Sequence, residues 1–130
     1  MSRRRGDRIQ GKREMRGVMT VPCLLNEKFR CRFLADTGAA FTCISQRAAA
    51  EMNLDLTPVR RMRIVSAHRP DFVPIIRINT FQVGSRIVRD MEVMVLPLPS
   101  ELRVDGLLGV NFLEKFRVTF EFEEATMILR

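Results

Sequence analysis

The stretch from Phe33 to Ser45 reads Phe-Leu-Ala-Asp-Thr-Gly-Ala-Ala-Phe-Thr-Cys-Ile-Ser, and one carboxylate, Asp36, interrupts its apolar character. A lone carboxylate among apolar side chains is costly to ionise unless nearby groups satisfy it. The triplet Asp36-Thr37-Gly38 is by itself compatible with a plain turn, because turns favour Asp and Gly. The apolar residues on both sides indicate instead that this turn lies inside a core.

The motif Leu34-Ala35-Asp36-Thr37-Gly38-Ala39, followed by Thr42-Cys43-Ile44-Ser45, resembles the active-site signature of the retropepsin-like aspartic proteases, particularly their small bacterial members. A second motif, Leu107-Leu108-Gly109, precedes a short amphipathic stretch. This motif is compatible with a plain loop that leads into a buried helix. An aliphatic pair followed by glycine also resembles the second signature of the same family, and the resemblance then covers about residues 18–130.

The resemblance implies a mostly β acid-protease fold, in which a closed β-barrel carries a flap hairpin and one or two short helices. It also implies that Asp36 is the catalytic residue and that Thr37, Gly38 and Ala39 support the active-site loop. Thr37 would hydrogen-bond across a two-fold axis, and the Gly38 amide would approach the carboxylate. The implied chemistry uses no cofactor and no metal ion.

Behind the active-site loop, the resemblance implies that Leu107 and Leu108 pack against the Asp36 turn and that Gly109 permits a close approach. The chain departs from the retroviral pattern at Val110, where those enzymes usually carry an arginine that braces the dimer. A dimer of this chain must therefore be steadied by other contacts.

An aspartic protease needs two carboxylates, whereas this chain of 130 residues has room for one domain and shows one such motif. Retroviral-type enzymes carry one motif per chain and dimerise. The resemblance therefore implies a homodimer, in which a water activated by an Asp36/Asp36′ dyad hydrolyses bonds of a peptide or protein substrate. It also implies that two C-terminal strands, predicted over residues 117–122 and 125–129, build the dimer interface.

Basic residues are concentrated at the N-terminus. Residues 1–16 hold seven basic and two acidic side chains, a net charge of +5 out of the total of +7. Because this segment has no apolar periodicity, we expect residues 1–16 to be a disordered tail or linker and residues 17–130 to be the single protease domain. The basic cluster contains no aromatic residue for base stacking, so we do not expect it to bind nucleic acid.

Two alternatives to a protease stay open at this point. One is a catalytically silent peptide-binding module of the same fold, and the other is a nucleic-acid-associated protein that acts through its basic tail. The sequence shows no signal peptide and no apolar run long enough to span a bilayer. We therefore expect a cytoplasmic protein, or a soluble fragment of a membrane-anchored one.

A polar tip, His68-Arg69-Pro70-Asp71, separates two β-like runs over residues 62–67 and 72–81, which predicts a hairpin. By position this hairpin resembles the flap that closes over the substrate in the family, although its tip has a proline and no glycine. A single histidine at an exposed turn is usually a polar loop residue, so we assign it no proton transfer. The candidate substrate-binding residues of the flap are Val65, Ser66, Ala67, His68 and Arg69.

The remaining elements are predicted from their patterns alone. Residues 17–25 and 29–35 are typical of a β-hairpin that delivers Asp36 at the end of its second strand. Residues 46–54 are strong helix formers, and Ser45 is placed to cap them. A turn at residues 83–86 then leads into a strand over residues 87–96.

Three cysteines, Cys23, Cys31 and Cys43, make an odd count that argues against a disulfide framework. Together with His68 they lack the closely spaced pairs that structural zinc sites use. Each cysteine has apolar neighbours, so we expect buried free thiols and no cysteine nucleophile.

Overall fold

The computed structural model describes residues 6–14, 17–66 and 69–130. Within these ranges the chain forms eleven β-strands and two short α-helices, and none of the described helices is long and apolar enough to cross a bilayer. The elements are β1 (Asp7–Gln10), β2 (Lys12–Glu14), β3 (Val18–Leu25), β4 (Phe29–Ala35), β5 (Cys43–Ser45), α1 (Gln46–Glu51), β6 (Arg60–Ser66), β7 (Arg69–Val83), β8 (Arg86–Leu96), β9 (Gly106–Leu108), α2 (Val110–Leu113), β10 (Val118–Glu121) and β11 (Thr126–Leu129).

Eight strands form one sheet in the order β2-β3-β4-β9-β5-β8-β7-β6. Strand β7 also pairs with β3, with Leu24 opposite Gln82 and Leu25 opposite Phe81. The six strands between these two partners in the sheet order, β3-β4-β9-β5-β8-β7, therefore form a closed ring. Strands β2 and β6 extend beyond this ring. This arrangement confirms the mostly β barrel with two short helices that the resemblance implied.

A chain of phenylalanines occupies the centre of the barrel. The rings of Phe33 and Phe81 meet edge to face with centroids 5.1 Å apart, Phe112 lies 5.7 Å from Phe81, and Phe116 lies 5.2 Å from Phe112. Aromatic pairs favour such tilted and edge-to-face contacts. The first three rings are fully buried and come from β4, β7 and α2, so the core ties the strand before Asp36 to the helix behind it.

The N-terminal segment is part of the fold over the residues described there. Strand β1 pairs with β11, which also pairs with β10 to form a three-stranded sheet, and β2 pairs with β3. Ile9 is buried in the core, and Asp7 Oδ2 accepts hydrogen bonds from the backbone amide and hydroxyl of Ser85. The expected disordered tail or linker is therefore wrong for residues 7–14. These strands are short and polar, and strand pairing holds them in place: β1 pairs with β11 near the other end of the chain, and β2 pairs with the next strand, β3.

Helix α1 begins as expected and ends early. Ser45 caps it, because the Ser45 hydroxyl accepts the Ala48 amide at 3.0 Å. The helix ends at Glu51 because Asn53 adopts a left-handed φ of 52°, which closes the C-terminus before the expected end at Leu54.

The β6–β7 hairpin is present, but its tip lies closer to the N-terminus than predicted. Arg63 pairs with Phe72 and Ser66 pairs with Arg69, so the return strand begins at Arg69 and not at Phe72. Proline does not end the strand, since its backbone φ is compatible with extended structure and it lacks only a donor. Of the candidate flap residues, Ala67 and His68 lie outside the described residues, as do the side chains of Val65, Ser66 and Arg69.

Candidate active site

Strand β9 lies between β4 and β5, and its pairing with both strands positions the loop that begins at Asp36. It runs parallel to β4, with Ala35 opposite Leu108, and antiparallel to β5. The Asp36 amide donates to the Leu108 carbonyl at 3.0 Å, which extends the β4–β9 pairing by one residue. Asp36 is therefore the first residue of the loop that joins β4 to β5, and its backbone is anchored to the second signature.

The active-site loop turns back on the Asp36 carboxylate. The Gly38 amide donates to Asp36 Oδ1 at 2.8 Å, and the Ala39 amide donates to the Asp36 carbonyl at 3.1 Å. A methyl group added at Gly38 would lie 3.1 Å from that same carboxylate oxygen, so glycine suits this close approach. Asp36 is half-buried, whereas Thr37 and Gly38 are exposed. The expected approach of the Gly38 amide to the carboxylate is present.

Gly109 packs directly behind the loop. A side-chain carbon at this position would lie 2.6 Å from the Ala39 carbonyl oxygen and 2.9 Å from the Thr42 nitrogen, distances that no real contact shows. The next residue, Val110, donates its amide to that Ala39 oxygen at 2.8 Å. Leu108 is fully buried, whereas Leu107 is half-buried. Gly109 and the Val110 amide therefore hold the loop from behind, and the implied packing of Leu107 and Leu108 against the Asp36 turn stays a prediction.

A polar pair that we did not single out in the sequence also holds the loop. Asn111 Oδ1 accepts from both the amide and the hydroxyl of Thr42 at 2.7 Å, and Asn111 Nδ2 donates to the Glu92 carbonyl at 3.2 Å. The Thr42 hydroxyl in turn accepts the Gly109 amide at 3.0 Å. The sequence feature that could have indicated this pair is that Thr42 and Asn111 each interrupt an apolar run. This network holds the first turn of α2, which begins at Val110, against the active-site loop.

The Asp36 carboxylate opens on a groove with a volume of about 410 Å³. Its other described walls are mainly apolar, and they include a stacked pair of phenylalanine rings with centroids 5.7 Å apart. Asp36 is the only carboxylate among the described residues that line the groove. The apolar lining consists of Val18, Met19, Leu34, Ala35, Phe120 and Phe122.

The pKa values of all three cysteine thiols are raised. Burial raises the pKa of Cys43, the Leu107 backbone lowers it by a hydrogen bond, and the charge of Asp36 raises it further. Burial, together with the charge of Asp105, raises the pKa of Cys31 to about 12. Burial also raises the pKa of Cys23. Cys23 and Cys43 are buried as expected, but the prediction is wrong for Cys31, which is only half-buried. A thiol with a raised pKa is a poor nucleophile at neutral pH.

Comparison with known proteins places both signatures in one family. A family model described as aspartyl protease matches residues 21–112. A retropepsin-like aspartic protease from Rickettsia conorii has a similar crystal structure, with a TM-score of 0.69 and 24% identity over 95% of this chain and 89% of that one. The retroviral protease-like domain of Ddi1 from Leishmania major is similar too, with a TM-score of 0.56 and 20% identity over 82% and 84% of the two chains. These two likenesses concern the fold. No curated protein sequence matched significantly.

Proposed function

Because the chain belongs to the aspartyl protease family, whose model spans both signatures, we propose that it is an aspartic endopeptidase with Asp36 as its catalytic residue. The observation that carries this proposal is the position of the Asp36 carboxylate at a groove about 410 Å³ in volume, with Oδ1 held by the Gly38 amide. Within the described residues Oδ2 has no hydrogen-bond partner, so it is available to a water or to a second carboxylate.

The groove of one chain contains one described carboxylate, and the chemistry needs two. We propose that a second copy supplies Asp36′ across a two-fold axis. Two carboxyl groups within hydrogen-bond reach do not both ionise easily, so the pair holds one proton over a broad pH range. The dependence of activity on pH then reports the titration of the coupled pair and not that of a single carboxyl group. We propose that Thr37, which is exposed, hydrogen-bonds across the axis and holds the two loops together.

The proposed reaction is hydrolysis without an acyl-enzyme. The ionised carboxylate takes a proton from a water, whose oxygen bonds to the scissile carbonyl carbon, while the protonated carboxyl donates to the oxygen that becomes negative. The C–N bond then breaks, and the released nitrogen takes a proton, giving a carboxylic acid and an amine. Ala39 leaves the dyad without a hydroxyl donor from that position. The apolar lining of the groove favours apolar side chains beside the cleaved bond.

The dimer contact that we propose involves β10 and the residues beside it. Strand β10 lies at the edge of the three-stranded sheet, and β1 lies at the opposite edge. Phe122 is 51% exposed and Val18 is 37% exposed, and both line the Asp36 groove. A two-fold contact through this rim would cover exposed apolar surface and bring the two carboxylates together.

The β6–β7 hairpin is proposed to act as the flap. Its candidate contacts with substrate remain Val65, Ser66, Ala67, His68 and Arg69, which are proposed from their position in the sequence between and beside the two strands.

Asp36→Asn is the direct test, with Asp90→Asn as the matched control. Asp90 is exposed and has a φ of 52°, which asparagine also tolerates, so the control makes the same chemical change away from the groove. With an unfolded, fluorescently labelled protein as substrate, Asp36→Asn should lower the cleavage rate at least about 10²-fold and the control should not. Cleavage that survives Asp36→Asn would contradict the proposal. An inactive wild-type protein that binds the substrate would favour the peptide-binding module instead.

A further inference from the structure

The outer face of the β6–β7 hairpin combines two arginines with apolar surface. Residues directly opposite each other on paired strands share a face, as do alternate residues of one strand. Arg61 lies opposite Pro74 and Arg63 lies opposite Phe72, so these four side chains form one patch, called here the arginine face. Both arginines are exposed.

Phe72 is 62% exposed, the largest exposed fraction among the exposed large apolar residues of the described chain. The hairpin has another face for apolar side chains, on which Met62 lies opposite the buried Val73. A single exposed apolar residue needs no explanation by itself. Phe72 becomes informative because it adjoins two arginines that form no ion pair within the described residues.

All 15 carboxylate side chains of the sequence lie in the described residues, and none forms an ion pair with Arg61 or Arg63. The ion pairs on this sheet join Arg60 and Arg77 to Glu92. Asp71 lies opposite Ile64, and its carboxylate accepts the Phe72 amide at 2.8 Å. The charge of the arginine face is therefore not balanced within the described chain.

Strand β6 is also the last strand in the order of the eight-stranded sheet, so its outer backbone edge pairs with no other described strand. Charged side chains on an edge strand repel a second copy of the same edge. The same arginines would attract an incoming strand that carries carboxylates, since edge strands bind extended peptides through backbone hydrogen bonds. The charged edge therefore favours an acidic partner strand and disfavours pairing with the same edge of a second copy.

We propose that the arginine face and the free edge of β6 bind an acidic, extended peptide segment of a partner protein. Alternate residues of a strand lie about 7 Å apart on one face, so carboxylates at alternate positions of an added strand match Arg61 and Arg63. Phe72 lies one strand further in, and a long apolar side chain of the partner reaches it by leaning across Arg63. An anionic membrane would attract the same arginines, but it cannot use the hydrogen-bonding edge. The binding does not depend on cleavage by Asp36.

The test uses the full chain with Asp36→Asn, which prevents cleavage of the probe. The probe is a short fluorescein-labelled peptide in which glutamates alternate with leucines, and its binding is measured by fluorescence anisotropy at low and physiological salt. We expect Arg61→Glu together with Arg63→Glu to weaken binding about tenfold or more at low salt, and Phe72→Ser to weaken it several-fold without a change in charge. Added salt should weaken binding of the parent protein.

The matched control is Arg47→Glu together with Arg89→Glu, which makes the same change in net charge at exposed positions on α1 and β8. Its affinity should stay within about twofold of the parent. Equal weakening by both pairs would attribute the binding to net charge and overturn the proposal. Absence of peptide binding would overturn it too, as would binding to phosphatidylserine vesicles without binding to the peptide. Far-UV circular dichroism checks that every variant is folded.

Discussion

Replacing Asn111 with alanine tests whether the Thr42–Asn111 network holds the active-site loop. The change removes the acceptor of the Thr42 amide and hydroxyl, both at 2.7 Å, and the donor to the Glu92 carbonyl at 3.2 Å. Thr42 is fully buried, so no water replaces the lost acceptor. The structure therefore predicts a loss of stability larger than that of a surface hydrogen bond.

The size of the effect follows from the groups left without partners. An ordinary hydrogen bond contributes about 0.5–1.5 kcal/mol, whereas a buried donor left unpaired costs about 1–3 kcal/mol. Glu92 is half-buried, so water reaches the carbonyl that loses its Asn111 donor more easily than it reaches Thr42. We expect Asn111→Ala to lower the free energy of unfolding by about 2–4 kcal/mol.

Urea unfolding followed by circular dichroism, at one fixed protein concentration, measures this change. Asn79→Ala is the matched control, because Asn79 is exposed on β7, and its effect should stay within about 0.5 kcal/mol. Thr42→Val removes the hydroxyl that accepts the Gly109 amide, and combining it with Asn111→Ala should be less costly than the two single effects together. An Asn111→Ala effect equal to that of Asn79→Ala, or strict additivity with Thr42→Val, would refute the reasoning.

Three further predictions concern the loop, the thiols and the dyad. Gly109→Ala places a methyl carbon 2.6 Å from the Ala39 oxygen, so it should cost about 1–3 kcal/mol in urea unfolding and lower kcat; a fully active variant of unchanged stability would contradict the packing. Partial burial and the charge of Asp105 raise the pKa of Cys31 to about 12, so the thiol stays neutral at pH 8, and iodoacetamide at that pH should modify Cys31 at least about tenfold more slowly in the folded chain than in urea; equal rates would contradict the raised pKa. Because Ala39 gives the dyad no hydroxyl donor, the activity maximum of the protein should lie at a pH less acidic than about 3, and a pH–rate profile that peaks below that value would contradict this.

The sequence predicts the parts of this site that depend on backbone shape. Asp36 and Gly38 occupy a turn between apolar runs, and Gly109 follows an aliphatic pair, so their residue types alone indicate close backbone approaches. The structure places the Gly38 amide on the carboxylate and the Ala39 oxygen against Gly109. The local sequence pattern is sufficient to predict these positions because few other residue types are compatible with such close backbone contacts.

Features that depend on long-range pairing were missed. Thr42 and Asn111 are separated by 69 residues, and their contact follows only from the way β9 and α2 pass behind the loop. Strand β1 has no apolar alternation of its own, and its pairing with β11, near the other end of the chain, holds it in place. The hairpin tip was misplaced because the polar stretch from Arg69 to Asp71 was assigned to the turn, whereas these residues pair with β6. Such features need the tertiary fold, which a local pattern does not contain.

Titration of the wild-type protein with Asp36→Asn tests most directly whether two copies share one site. The two proteins are refolded together at a concentration where dimers dominate, and cleavage is followed as the variant is added to a fixed amount of wild type. If each site needs two Asp36 carboxylates, random pairing should leave about half the activity at equal amounts. The same titration with Asp90→Asn should leave the activity undiminished. Activity that stays constant as Asp36→Asn is added would show that one chain is sufficient and would contradict the shared dyad.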